Sequence, residues 1–233
     1  MQVIEVTGYA VRSSIISMRR RRDGLRFELF PMMHVASPTF YRQVSARLAK
    51  CDLIVVEGIR GKSRQASMIT LAYRFAPRAS RGGLELQDYD TLLPAGIPVV
   101  NPDVTAEEAI SQARRVLRWW YWPMMLLAPV FGLVFAVRGL RAFLDEDLVV
   151  EEEPLSNRAA WLKDDKLDEA FGGVRDRRVL DALSVIHSEH ADEPMVVAVV
   201  YGAGHMPAIA AGLAQRHGYR PSDAEWLVVC IPD

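Results

Sequence analysis

The sequence predicts an α/β fold: a mainly parallel central sheet flanked by helices, with an N-terminal β-hairpin and an inserted apolar helical segment. Three observations carry this. Val196–Val200 is an unbroken apolar run rich in β-branched residues, the pattern of a strand buried on both faces. It passes through Tyr201-Gly202-Ala203-Gly204-His205-Met206-Pro207 into an alanine-rich helix over 208–215. The same passage recurs earlier. Phe27–Phe30 leads through Pro31-Met32-Met33-His34 to a helix opened by Ser37 and Pro38, and Leu53–Val56 ends at Glu57-Gly58.

The elements follow in order. Val3–Val11 and Ile15–Met18 have strand character, and Asp23-Gly24 is a hairpin turn signal before Leu25–Phe30. The run Arg19-Arg20-Arg21-Arg22 reads either as a solvated hairpin tip or as a patch for anionic lipid or another polyanion. Tyr41–Lys50 reads as a helix with Val44 and Leu48 on one face. Met68–Phe75 and Asp88–Leu93 are further helical stretches, and the residues from Gly96 to Asn101 lead into another parallel strand. Thr105 and Glu108 form a capping box for the next helix. Asn157–Asp168 and Arg175–His187 read as helices, and Trp226–Ile231 as a last strand.

Trp119 to Val137 is uninterrupted apolar sequence, within an insertion at about 116–141. One crossing of a bilayer would separate His34 and Glu57 from His205, and Pro123 and Pro129 would break a straight helix. The segment is therefore expected to be a lid, a homo-oligomer interface or a shallow contact with a membrane surface.

The chain has 233 residues, half of them hydrophobic and a quarter charged, which suits one folded domain spanning residues 1–233. A formal net charge of −1 gives no global field for nucleic acid. Cys51 and Cys230 make no disulfide framework and read as small core residues. The first residues lack a basic stretch followed by an apolar one, so a cytoplasmic location is expected, with peripheral membrane contact as an option.

Sites in such sheets form at the carboxyl ends of strands. Three of those ends offer His34, Glu57 and His205, and two imidazoles with a carboxylate are a recurring metal-binding set. A single histidine after a strand is also commonly a satisfied polar residue, so the case rests on the three together. Gly202 and Gly204 permit a close backbone approach to a substrate. Arg60 or Lys62 could hold a substrate carboxylate or phosphate, or simply face solvent. Asp103 follows a strand and could orient a ligand or the pair Arg175 and Arg177, although a helix-opening turn also accounts for it. Cations are unfavourable in a first helical turn, which points Arg175 and Arg177 towards a site, where they would stabilise an oxyanion or hold a carboxylate. His187 and His190 end their helix, where cations are suited, and are set aside as metal ligands.

These residues resemble a family. Gly202-Ala203-Gly204-His205-Met206-Pro207, Pro31-Met32-Met33-His34-Val35 (with Pro31 where the family has Gly), Val55-Val56-Glu57 and Arg175-Asp176-Arg177 resemble the paired motifs of the TraB/Tiki superfamily. That group includes GumN-like proteins and is more distantly similar to erythromycin esterases and ChaN-like proteins. The resemblance to Tiki-type proteins implies peptidase activity. The resemblance to erythromycin esterases implies metal-independent ester hydrolysis with a histidine base.

The expectation is a metal-dependent hydrolase of a peptide, or of a small-molecule ester or amide. His34, Glu57 and His205 would hold Mn²⁺, Co²⁺ or Zn²⁺, which lowers the pKa of bound water and polarises a carbonyl. Glu57 would be the base if it is not a ligand, and Arg175 or Arg177 would stabilise the oxyanion. The other readings are a non-catalytic binding or regulatory protein on the same scaffold, and a membrane-surface adaptor.

Overall fold

The computed structural model describes residues 2–20, 24–58, 83–117, 119, 122–123 and 173–231. The expected helices at Met68–Phe75 and Asn157–Asp168 lie outside the described residues, as does nearly all of the apolar segment Trp119–Val137. Among the described residues no helix is long and apolar enough to cross a membrane.

The described strands build one seven-stranded sheet and one small two-stranded sheet. β1 (Ile4–Val6), β2 (Val11–Arg19) and β3 (Arg26–Met32) form an antiparallel meander. The single strand expected over Val3–Val11 is instead broken: Thr7 Oγ1 accepts hydrogen bonds from the Tyr9 and Ala10 amides, making a turn that sets β1 back on β2. β4 (Val35–Ala36) pairs with β6 (Glu85–Leu86) in the small sheet.

The centre of the large sheet is parallel. β8 (Val196–Gly202) lies between β3 and β5 (Leu53–Val56), and β7 (Val99–Val100) follows β5. β8 is apolar on both faces because both are covered. Ala198 and Val200 pack with Phe40, Val44 and Leu48 of α1 (Pro38–Leu48). Val197 and Val199 pack with Val179, Leu183 and Ile186 of α4 (Val174–His190) and Met206, Ile209 and Leu213 of α5 (Met206–His217). α2 (Tyr89–Leu92) and α3 (Ala106–Leu117) complete the described helices.

Local signals set the helix ends. Ser37 Oγ accepts from the Phe40 amide and proline opens α1. The Thr105 and Glu108 box is reciprocal: the Glu108 amide donates to Thr105 Oγ1, and the Thr105 amide donates to Glu108 Oε2. Gly218 ends α5 at φ +76°, a left-handed cap. The last strand is longer than its apolar part. β9 (Arg220–Cys230) runs antiparallel along β2, and Arg220–Trp226 is exposed throughout.

Candidate functional site

The register places the site. Val56 of β5 stands opposite Val200 of β8, and Val100 of β7 opposite Val55, so Glu57, Asn101 and Gly202 emerge together at the carboxyl ends of neighbouring strands. α4 begins over the same edge and delivers Arg175 and Asp176, while the short 3-10 turn Ala203–His205 delivers His205.

Glu57 is the centre. Its Oε2 accepts the Gly202 amide at 2.6 Å and its Oε1 accepts Arg175 Nη2 at 2.5 Å. His205 Nε2 stands 3.6 Å from Oε1, an ion-pair distance rather than a hydrogen bond. The other ring nitrogen, Nδ1, lies 2.6 Å from Asp176 Oδ1. Arg175 reaches past Glu57 to Asp103, with Nε to Oδ1 at 2.9 Å and Nη2 to Oδ2 at 2.6 Å.

Asp103 is itself locked. Gly58 and Val104 donate their amides to its two oxygens, and Asn101 spans from the Gly58 carbonyl to the Asp103 amide. Gly58 has φ +147°, a region that disfavours a side chain and that turns its amide towards Asp103. A Cβ on Gly202 would stand 3.2 Å from Glu57 Oε2, so the close approach expected there is used on Glu57.

The charges follow from these contacts. Burial alone would push the Glu57 carboxyl up. The imidazole of His205, the guanidinium of Arg175 and the Gly202 amide outweigh it and hold the group at about 2. Burial disfavours a charged His205, but Asp176 and Glu57 raise it to about 9, so at neutral pH it is an imidazolium. Burial likewise opposes the charge on Asp103, and the Arg175 contacts hold it below the usual range.

The structure thus brings Glu57, Asp103, Arg175, Gly202 and His205 together. Arg177 is exposed two residues further along α4 and makes no contact with the cluster among the described residues. Gly204 is exposed with open space around it. His34 is exposed beyond β3 at the same end of the sheet, with its carbonyl accepting the Gln87 amide. Arg60 lies outside the described residues. No three His, Cys, Asp or Glu side chains among the described residues are grouped so as to hold a metal ion, so the set His34, Glu57 and His205 does not assemble as ligands there.

Comparison with protein-family models, curated proteins and solved structures gives no match. The likeness to the TraB/Tiki superfamily therefore stands on the four motifs quoted above.

Three contributors stand in the stretches quoted from the sequence without a role of their own. Asp176 orients His205; its signal was an acid in the first turn of α4, flanked by two arginines that drew the attention. Asn101 ends a strand, as Glu57 does. Tyr201, nearly fully buried, meets the His205 ring edge to face at 5.9 Å, and burial together with Asp103 and Glu57 pushes its hydroxyl well up.

Proposed function

We propose that this cluster is the active centre of a hydrolase acting on an ester or amide carbonyl, with His205 as the proton-transferring group. The observation that carries the reading is the dyad of His205 and Asp176. One ring nitrogen is held at 2.6 Å by a carboxylate, which fixes the direction of the other, and that other faces the ionised Glu57. In its deprotonated form His205 Nε2 takes a proton from water attacking the carbonyl, and Asp176 stabilises the imidazolium that forms. Glu57 adds a second negative charge beside that imidazolium. Arg175 is the nearest cation for a developing oxyanion, provided that a substrate oxygen draws Nη2 from Glu57.

A divalent Mn, Co or Zn ion fits the described residues poorly. Both Glu57 oxygens and both His205 nitrogens already face protein partners, and His205 carries the proton that a metal would have to displace. The proposed chemistry therefore runs through His205 itself.

A binding or regulatory role is the second reading. It is favoured by one observation: Glu57, Asp103, Arg175 and His205 satisfy one another, as in a purely structural knot. Hydrolysis of a panel of p-nitrophenyl esters and chromogenic peptide amides separates the two. The hydrolase reading expects turnover that falls at least about 100-fold in His205→Ala and in Asp176→Ala, each with the wild-type far-ultraviolet circular dichroism spectrum. Turnover unchanged in both variants would leave the structural knot as the reading.

A further inference from the structure

At the opposite end of the sheet, beside the amino ends of the parallel strands, lies a second cluster that the proposed reaction does not use. The His187 and His217 rings, from the last turns of α4 and α5, lie with centroids 4.3 Å apart and planes tilted by 37°. Tyr219 Oη lies 3.1 Å from His187 Nδ1. Arg20, at the end of β2, places Nη1 at 3.3 Å from His187 Nε2. Arg19 stands directly opposite Arg220 where β2 pairs with β9.

The donors around His187 fix its protonation. A guanidinium has no acceptor, so His187 Nε2 must receive from Arg20 through its lone pair. The proton of a neutral His187 then sits on Nδ1 and points to Tyr219. Ser184 Oγ donates to the Leu180 carbonyl, so it receives from His217 Nε2 at 2.8 Å. The His187 ring is therefore held neutral, and burial, the neighbouring His217 and the Arg20 charge push its pKa down, as burial, Arg216 and Arg20 do for His217. Asp192 beside His187 works the other way, and so do the two helix C-termini. Arg216 is held by Asp181. Among the described residues, the side-chain partner of Arg20 is a neutral imidazole and not a carboxylate.

We propose that Arg20, Arg220, His187 and His217 form a binding site for a phosphate group, and that occupancy takes up a proton at His187. A tetrahedral dianion draws the Arg20 guanidinium away from His187 and accepts two of its N–H donors. The freed His187 Nε2 then takes a proton from solvent and becomes a third donor, with Tyr219 still oriented by Nδ1. The exposed Arg220, next to Tyr219 in the chain, adds positive charge to this end of the sheet. Binding is weak at alkaline pH and strengthens on acidification, because only the protonated His187 can donate through both nitrogens.

The test uses sulfate, a dianion that does not titrate in the relevant range, with the full chain. Imidazole resonances of His187 and His217 are followed by NMR during sulfate titrations at several pH values. Saturable shifts are expected, with affinity rising several-fold, up to about tenfold, per pH unit between about 7.5 and 5.5. Arg20→Gln, at an exposed position, abolishes the saturation, and His187→Gln keeps weak binding that no longer depends on pH. Shifts that chloride reproduces at equal ionic strength, or the same affinity in Arg20→Gln, overturn the site. Vesicles of phosphatidylcholine with and without phosphatidylserine identify the source. Capture by the anionic vesicles that is lost in Arg20→Gln points to a lipid headgroup, and sulfate binding without capture points to a soluble phosphate compound.

Discussion

Arg175 grips Asp103 through two nitrogens at 2.9 and 2.6 Å while the same Nη2 also reaches Glu57. One side chain at the start of α4 therefore ties the ends of β5 and β7 together, and Gly202 brings in β8 through Glu57. The Asp103 side chain is fully buried and that of Arg175 largely so. Taking one partner from a buried pair leaves the other uncompensated, so the clamp is more sensitive to loss of a member than its net contribution suggests.

Asp103→Ala removes the acceptor of both Arg175 bonds and of the Gly58 amide. Urea unfolding should show a loss of about 3 kcal/mol, within the range for a broken buried pair. A loss below about 0.5 kcal/mol would show that water fills the place of the carboxylate.

Glu57→Gln preserves shape and an acceptor for Gly202 but removes the negative charge that faces His205 and Arg175. The His205 pKa should fall from about 9 towards that of an ordinary imidazole. NMR titration of the His205 ring measures this directly. An unchanged value would assign the elevation to Asp176 alone.

The pH dependence has a definite sign. His205 is raised in the folded state, so its contribution to stability is complete below the unfolded value near 6.5 and disappears as pH rises through about 9. Glu57 is lowered to about 2, so its contribution is present above its unfolded value near 4.5 and disappears as pH falls through about 2. Tm should fall between neutral pH and about 9.5, and His205→Gln should flatten that slope. Turnover should move the opposite way, rising towards pH about 9 as His205 deprotonates. A rate that falls over the same interval would make His205 an acid and not a base.

Gly212 lies where α5 crosses α4, and a Cβ there would come within 2.3 Å of Leu180 Cδ2. Gly212→Ala gains helix propensity worth about 1 kcal/mol, yet overcrowding a packed interface costs about 1–3 kcal/mol. The net effect should be a lower Tm, restored when Leu180→Ala is added. A higher Tm in the single variant would show that Leu180 rotates away at little cost.

What the sequence disclosed depended on where the determining interactions lie. β5 and β8 were legible because a strand covered on both faces must be apolar throughout, as Val196–Val200 is, and β3 because Phe27, Leu29 and Phe30 outweigh the half-buried Glu28 between them. The caps at Ser37 and Thr105 were legible because their partners are three residues away. The first half of β9 was not legible. Arg220–Trp226 is exposed, and its strand geometry comes from β2, about two hundred residues earlier in the chain. In the site, Asp103 and Arg175 carried a signal, being an acid at the carboxyl end of a strand and a cation in an unfavourable turn. Asp176 carried almost none, since an acid in a first turn is the ordinary choice there, and only the position of His205 gives it a role. Arg177 carried the same signal as Arg175 and points elsewhere, because helical rotation places residues two apart on different faces.

The order of strands has a consequence for how the chain emerges during synthesis. β8 is the central strand, yet among the described strands it follows β3, β5 and β7 in the chain, and it enters between β3 and β5. Until Val196–Gly202 leaves the ribosome, β3 and β5 each present one parallel edge with no partner, and Glu57 waits for both Arg175 and Gly202. Parallel pairing at the centre of the sheet is thus postponed until residues 196–202 are made, and the chain that precedes them is a natural client for chaperones that shield unpaired strands.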